Sequence, residues 1–149
     1  MNQAYITGVG NTAFGRLEGQ ATLDLMAQAA SAALADANLL RSDIDGVLCG
    51  YSTTMPHLMI STLFCERFSL RPNYAHGMQL GGATGSAMLM LGRELVKSGR
   101  CKNVLVVAGE NRLSGQTRDS SIQTLAQVGH ADFEVPNGAS VPAYYGLMA

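Results

Sequence analysis

One segment dominates the sequence: Met78-Gln79-Leu80-Gly81-Gly82-Ala83-Thr84-Gly85-Ser86-Ala87-Met88-Leu89-Met90-Leu91. It opens with three glycines within five residues, which allow a backbone to pass very close to another group. The apolar run that follows is too long for an ordinary strand and contains no proline, so it predicts a helix over residues 83 to about 98 that ends at Gly99. Because this helix is apolar on nearly every side, we expect it to be buried at the centre of the fold.

The glycine turn that precedes this helix has two interpretations. The first turn of a helix carries free N–H groups and a partial positive charge, so it can acidify a nucleophile and stabilise a developing oxyanion. The residue at the nucleophile's place is Gly82, which has no side chain. The alternative is that Gly81, Gly82 and Gly85 only allow close packing of the helix.

Length and composition indicate one globular domain with a substantial core. The chain has 149 residues, of which 47% are hydrophobic and 14% charged. A net charge of −1 without a basic tract gives no indication of nucleic-acid binding. No uncharged apolar run approaches the roughly 18 residues of a membrane span, and the opening residues lack the basic and apolar regions of a signal peptide. We therefore expect neither a membrane span nor a leader.

The three cysteines are Cys49, Cys65 and Cys101. They are odd in number and widely spaced, with no Cys-x-x-Cys pair, so we interpret them as reduced thiols of a cytoplasmic protein and not as a disulfide framework or a metal site. Cys49 lies in a predicted strand and Cys65 beside a predicted buried stripe, which favours core positions for both. Cys101 lies in a polar turn and is predicted to be a surface thiol.

Hydrophobic periodicity predicts alternating strands and helices along the chain. The helix over residues 23–37 has Thr22 as its predicted N-cap and Asn38 as a left-handed residue at its end. The predicted strands cover residues 4–10, 44–50, 73–80 and 104–108, and the further helices cover residues 59–68, 122–128 and the segment from 141 to the end. Residues 129–138 read as a loop. This order indicates an α/β fold with a mostly parallel sheet and right-handed crossovers.

Two short patterns raise specific site hypotheses. Gly8, Gly10 and Ala13 fit a dinucleotide-binding fingerprint, but two more glycines follow where its helix should begin, so we do not expect a dinucleotide site. Glu110 lies just beyond the carboxyl end of the strand over residues 104–108, where open α/β sheets bind their ligands. Glu110 is therefore a candidate site residue, and the alternative is a solvated loop carboxylate.

Taken together, these segments resemble the thiolase superfamily, most closely thiolases of the sterol carrier protein X type. The resemblance rests on the order and spacing of residues 6–16, 36–39, 43–47, 81–85, 104–111, 130–138 and 141–145. It implies a thiolase-like layered α/β/α fold, with an incomplete first half that has a mostly parallel sheet and a buried central helix. It also implies that residues 1–149 form a partial N-terminal domain and that the C-terminal thiolase half is absent.

The resemblance includes one departure at the nucleophile. Thiolases carry their acyl-accepting cysteine in a Cys-x-Ser/Thr-Gly turn, and the matching residues here are Gly82-Ala83-Thr84-Gly85. Thr84 and Gly85 are kept, whereas Gly82 replaces the cysteine, and a glycine cannot form a thioester. By resemblance, Gly81, Gly82, Thr84 and Gly85 are expected to bind substrate. The family's acid and base belong to the absent half, so no catalytic residue is assigned.

Three functions remain open from the resemblance. The first is an acyl-CoA-handling enzyme of lipid metabolism that makes or cleaves carbon–carbon bonds through an enolate, as retro-aldolases do, with a CoA thioester as substrate and no permanently bound cofactor. The second is a non-catalytic thiolase-like subunit that dimerises with or scaffolds an active partner. The third is ordinary thiolase activity, which the absent cysteine disfavours.

Assembly is expected in the first two cases. Residues 73–80 resemble the family's dimer-interface strand, so a homodimer or a hetero-oligomer with a thiolase-like partner is implied. The unfinished sheet should also expose apolar edges, so we expect this chain to be unstable alone or to pair with another.

Overall fold

A computed structural model describes residues 3–138 and 140–149 of the chain. Its centre is a sheet of three parallel strands in the order β2-β1-β3. The strands are β1 (Gly46–Gly50), β2 (Tyr74–Met78) and β3 (Val104–Val107). In the register, Gly46 lies opposite both Tyr74 and Val104, so the strands start level and their carboxyl ends meet at one edge.

Six helices accompany the sheet in the described part of the chain. They are α1 (Thr22–Ala37), α2 (Ile60–Arg67), α3 (Thr84–Lys97), α4 (Arg112–Gly115), α5 (Arg118–Ala126) and α6 (Val141–Met148). Three of them alternate with the strands, in the order α1-β1-α2-β2-α3-β3. The predicted elements are thereby confirmed within a few residues from α1 to β3, whereas α4 was not predicted and α5 begins four residues earlier than expected.

Successive side chains of a strand point to opposite sides of the sheet. Both faces of this sheet therefore present apolar side chains, and helices cover both. Val47, Cys49, Leu105 and Val107 pack with α1 and α2 in the larger core, which includes Phe64. Leu48 points to the other face and packs with α3 in a smaller core, together with Met88, Leu95 and Cys101. The layers are therefore α/β/α, as expected.

The ends of the helices follow local sequence, with one exception. Asn38 adopts a left-handed conformation with φ 53° at the end of α1, and Gly99 does so with φ 74° after α3, as predicted. The prediction of Thr22 as the N-cap of α1 is wrong, because Ala21 holds that position without a side-chain cap. The Thr22 hydroxyl instead forms a hydrogen bond of 3.0 Å with that of Thr54 in the loop after β1.

The prediction of an opening strand over residues 4–10 is also wrong for the described residues. This segment has no strand assignment and lies against α1. A Cβ on Gly8 would overlap the Ala33 carbonyl oxygen, and one on Gly10 would overlap that of Ala29, so the two backbones are in direct contact. The backbone N–H of Val9 donates to the Asp36 carboxylate at 2.9 Å. No helix begins at Gly10, which agrees with the rejection of a dinucleotide fingerprint.

The central helix α3 is buried along one face and not on nearly every side. Its buried residues are Thr84, Met88, Gly92 and Leu95, whereas Leu89 and Met90 are 51% and 71% exposed. The sheet covers only the face that includes Met88, and no other described element covers the face that includes Met90. The apolar composition of α3 therefore correctly predicts a helix but overstates its burial in this chain.

The described helices include none that is both long and apolar enough to cross a membrane. The opening residues Met1 and Asn2, on which the expectation about a leader partly rested, lie outside the described range.

Candidate functional site

The glycine turn forms at the carboxyl edge of the sheet, immediately before α3. Residues Gly81–Ala83 make a single 3-10 turn that leads into the helix. Gly81 has φ 55°, a left-handed conformation that favours glycine. Thr84 fixes the turn from inside, because its hydroxyl donates to the Gly81 carbonyl at 2.7 Å and accepts the Leu80 N–H at 2.9 Å. The turn is therefore a defined structure and not a flexible linker.

Gly82 and Gly85 border open space. A Cβ built on either residue would meet no atom within 4 Å, and neither residue has a positive φ. Close helix packing therefore does not require glycine at these two positions. A side chain would fit at position 82 and would lie at the N-terminal end of α3, where unpaired N–H groups gather.

The start of α3 is fixed against the strand ends by a different glycine. A Cβ on Gly50, the last residue of β1, would lie 2.9 Å from the Ala108 Cβ, 3.3 Å from the Met88 Cε and 3.6 Å from the Thr84 Cγ2. The absence of a side chain at Gly50 therefore lets the first turns of α3 and the end of β3 approach β1 together.

Glu110 lies beyond β3 and is anchored by the loop that follows β1. One carboxylate oxygen accepts the Thr53 N–H and hydroxyl, each at 2.8 Å. The other accepts the Thr54 N–H at 2.9 Å, the Ser52 hydroxyl at 2.9 Å and the Thr54 hydroxyl. Arg112 adds a hydrogen bond of 3.2 Å from its Nε to the Thr53 hydroxyl oxygen. Glu110 is therefore neither a free carboxylate nor a simply solvated one.

Two opposing effects set the acidity of Glu110. Burial raises the pKa of this carboxyl, but the hydrogen bonds from Thr54 and Thr53 outweigh it and lower the pKa below its ordinary value of 4.5. The group is consequently ionised at neutral pH and is an acceptor of hydrogen bonds. A general base would need a higher pKa and a free oxygen, so this environment favours a role in holding the loop.

We expect Glu110→Gln to destabilise the protein at pH 7 by about 1 kcal/mol, less than is usual for hydrogen bonds to a charged group, because the carboxylate remains partly exposed. The wild-type advantage exists above pH 4.5, the ordinary carboxyl value, and is lost as the pH falls through the lowered pKa of the folded state. Urea unfolding of both proteins between pH 7 and pH 3 measures this difference. A difference that stays constant across this range would contradict the explanation.

Asn111 is a site residue that the sequence analysis missed. Its side chain is buried, and its Nδ2 donates to the Leu17 carbonyl at 3.0 Å and to the Gln20 carbonyl at 2.8 Å. These carbonyls belong to the segment that precedes α1. The only signal in the sequence was its place beside Glu110 at a strand end, since its partners lie more than 90 residues away.

A cleft of about 320 Å³ lies next to these loops. One wall is formed by residues 10–15 and Leu17, another by residues 108–110, and Leu25 and Ala29 of α1 also line it. The cleft therefore touches Glu110 directly and lies on the α1 side of the sheet, whereas residues 81–85 do not line it.

None of the cysteines lies at the glycine turn. Cys49 and Cys65 are buried as predicted, whereas the prediction of Cys101 as a surface thiol is wrong, since it is 2% exposed. Its turn is polar, but its side chain points into the small core beneath α3. Burial raises the pKa of all three thiols, and the nearby Cys65 contributes to raising that of Cys49 to about 12. These thiols are poor nucleophiles at neutral pH.

In residues 3–138 and 140–149, no cluster of His, Cys, Asp and Glu could hold a metal ion.

Thr84 offers a direct test of the turn. We expect Thr84→Val to lower the free energy of unfolding by about 1–3 kcal/mol, because it leaves the Leu80 N–H and the Gly81 carbonyl without their buried partner at nearly unchanged volume. Thermal unfolding followed by circular dichroism measures this loss. Thr12→Val is the control, since that hydroxyl is exposed and bonds only the adjacent carbonyl; equal losses from both variants would show that the turn does not depend on Thr84.

Comparison with known proteins places these features in a common fold. No protein-family model matches the sequence. A beta-ketoacyl-[acyl-carrier-protein] synthase III from Cereibacter sphaeroides is 36% identical over 138 residues, which cover 89% of this chain and 42% of the relative. A steroid side-chain-cleaving aldolase from Thermomonospora curvata is 30% identical over 148 residues, which cover 97% of this chain and 34% of the relative. The chain thus spans well under half the length of these curated relatives.

Solved structures agree with the sequence relatives. An Ltp2-ChsH2(DUF35) aldolase superposes with a TM-score of 0.72 at 24% identity, covering 98% of this chain and 36% of that one. A monomeric SCP2-thiolase like protein type 1 from Mycobacterium smegmatis superposes with a TM-score of 0.58 at 23% identity, covering 72% of this chain and 23% of that one. The open parallel sheet, its two helical layers and these similarities lead to the same conclusion: the chain is a thiolase-fold protein.

Proposed function

We propose that the protein binds acyl thioesters at the carboxyl edge of its sheet and makes or cleaves a carbon–carbon bond in them without forming an acyl-cysteine. The observation that carries this proposal is Gly82, which leaves open space at the start of α3 where a thiolase nucleophile would lie. The backbone donors of that turn remain available to an oxygen that gains negative charge.

The proposed reaction needs no oxidant, reductant or metal. In the cleavage direction, a base removes the proton of the 3-hydroxyl group of an acyl thioester, and the bond between C2 and C3 breaks. Its electron pair forms the thioester enolate, which then takes a proton at C2. The products are a carbonyl compound and a shorter acyl thioester. The N–H groups at the start of α3 would stabilise the enolate oxygen.

The relatives support this class of substrate. One is a beta-ketoacyl-[acyl-carrier-protein] synthase and another an acetyl-CoA acetyltransferase from Methanothermobacter thermautotrophicus, 24% identical over the whole chain. The aldolase relative, at 30% identity, favours carbon–carbon cleavage over transfer to a cysteine. Ordinary thiolase activity is the least supported alternative, because each described cysteine is buried. A CoA thioester is thus the proposed substrate, with no resident cofactor and a place in lipid metabolism.

The test is a calorimetric titration of the full-length protein with CoA, acetyl-CoA and a 3-hydroxyacyl-CoA. Saturable binding that depends on the acyl group is expected, followed by release of acyl-CoA and a carbonyl product from the 3-hydroxyacyl compound. Absence of binding to all three would refute the proposal. A robust thiolysis rate would refute the part that excludes cysteine chemistry.

The exposed apolar surface favours a second candidate, a non-catalytic subunit. Leu89 and Met90 of α3 are exposed, as are Tyr5, Ile6 and Phe14 of the opening segment. Surfaces of this kind are usually covered by another chain or segment. The chain would then form a homodimer or a hetero-oligomer with a thiolase-like partner in the cytoplasm. Residues 1–149 would be either the N-terminal part of a longer protein with two thiolase halves or a separate subunit that binds such a protein. Light scattering that finds a stable monomer of the full-length protein would count against this candidate.

A further inference from the structure

Two adjacent residues at the end of β3 hold two distant segments in place. Glu110 accepts five hydrogen bonds from residues 52–54, which follow β1. Asn111 donates two hydrogen bonds to the carbonyls of Leu17 and Gln20, which precede α1. The loops before α1 and after β1 therefore both take their positions from the end of β3.

The segments that are held form part of the proposed binding region. Leu17, which accepts a hydrogen bond from Asn111, lines the 320 Å³ cleft together with Ala108 and Glu110. Residues 52–54 bind Glu110, which lines the same cleft beside Ala108. A shift of either loop would consequently change the shape of the cleft.

On the basis of the proposed function, we infer that Glu110 and Asn111 are positioning residues that hold the cleft in the arrangement that binds the acyl thioester. They act through the loops at residues 17–20 and 52–54 and not by contact with the reacting atoms. The carboxylate oxygens of Glu110 already accept five hydrogen bonds, and the amide nitrogen of Asn111 already donates two.

The chain provides a matched control at the other edge of the same sheet. Asp45 precedes β1, and its carboxylate accepts the N–H groups of Lys102 at 2.9 Å and of Asn103 at 2.9 Å. It therefore also ties two strands together with a carboxylate, but at their amino ends. Loss of Asp45 should lower stability without reaching the cleft, whereas loss of Glu110 should affect both.

The experiment compares the full-length wild type with Glu110→Gln, Asn111→Ala and Asp45→Asn. Calorimetric titration with acetyl-CoA and a 3-hydroxyacyl-CoA is carried out at a temperature where all four proteins are folded. We expect the dissociation constants of Glu110→Gln and Asn111→Ala to rise about tenfold, the scale of a lost hydrogen-bonded constraint. The constant for Asp45→Asn should remain within about twofold of wild type, even where its melting temperature falls equally.

Amide hydrogen exchange supplies a readout that does not depend on the ligand. We expect faster exchange at residues 52–55 in Glu110→Gln and at residues 17–20 in Asn111→Ala. If the wild type binds neither ligand, the proposed function fails and the inference fails with it. If the wild type binds while both variants bind equally well despite their loosened loops, the inference alone is overturned. It is also overturned if Asp45→Asn weakens binding as much as they do.

Discussion

Gly82→Cys is expected to yield a folded protein with one thiol that reacts with iodoacetamide at pH 7 about a hundredfold faster than the three native thiols. The substitution meets no steric obstacle, because a Cβ at position 82 has no atom within 4 Å and the residue has no positive φ. The new thiol would lie at the N-terminal end of α3, where the helix lowers a thiol pKa. The native thiols are buried, and their pKa values are raised.

Ser31→Cys is the control for this variant, since Ser31 is exposed in the middle of α1. The pH dependence of alkylation should show a pKa for Cys at position 82 about one unit below that of the control. Identical profiles would show that the start of α3 does not activate a nucleophile. Labelling of a native cysteine at a comparable rate would contradict the burial described above.

The same variant tests the proposed substrate class. With acetyl-CoA, the thiolate at position 82 would attack the thioester carbonyl and release CoA as its thiolate, which leaves an acetyl thioester on the protein. Mass spectrometry would detect this product, and the Ser31→Cys protein should not form it. Alkylation without acetylation would show that the turn activates a thiol but that the protein does not bind an acyl thioester next to it.

The sequence predicts the elements that have strong local signals. The α3 helix follows from an almost unbroken apolar run up to Leu91, and Gly99 after its end adopts the left-handed conformation that such a boundary favours. The strands β1 and β3 follow from short apolar runs after polar turns. Glu110 could be predicted as a site residue because it follows a parallel strand, and the carboxyl ends of parallel strands meet at one edge of the sheet. This rule requires no knowledge of which distant residues Glu110 contacts.

The features that the sequence could not predict depend on distant partners. Asn111 forms hydrogen bonds to carbonyls more than 90 residues away, and its place beside Glu110 at a strand end does not reveal these partners. Cys101 lies in a polar turn, yet α3 and Asp45 enclose it. The opening segment has the composition of a strand but pairs with none in the described chain, because strand formation requires a neighbouring edge. The exposed face of α3 is a similar case, since burial depends on what covers a helix and not on its own composition.

Phe64→Ala is expected to cost about 3–5 kcal/mol, the largest loss of stability among the changes considered. Phe64 is fully buried on α2 and stacks on Phe68 with a centroid distance of 5.4 Å. It belongs to the larger core, which joins α1 and α2 to β1 and β3. A domain is usually stable by about 5–15 kcal/mol, so this variant should be close to unfolding at 37 °C. Urea denaturation followed by circular dichroism measures the loss.

A comparison with Met88→Ala tests whether the two hydrophobic cores contribute equally to the free energy of unfolding. Met88 is also buried, but its core beneath α3 contains only Leu48, Leu95 and Cys101 as further buried residues, and α3 is exposed on its far side. That layer can relax more easily around a deletion, so we expect a loss near 2 kcal/mol and faster hydrogen exchange confined to α3. Leu58→Ala, at a fully exposed position, should change stability by less than about 0.5 kcal/mol. Equal losses from Phe64→Ala and Met88→Ala would contradict this ranking. If the ranking holds, the glycine turn lies on the weaker layer, and a ligand or partner that binds there would stabilise α3 more than any other element.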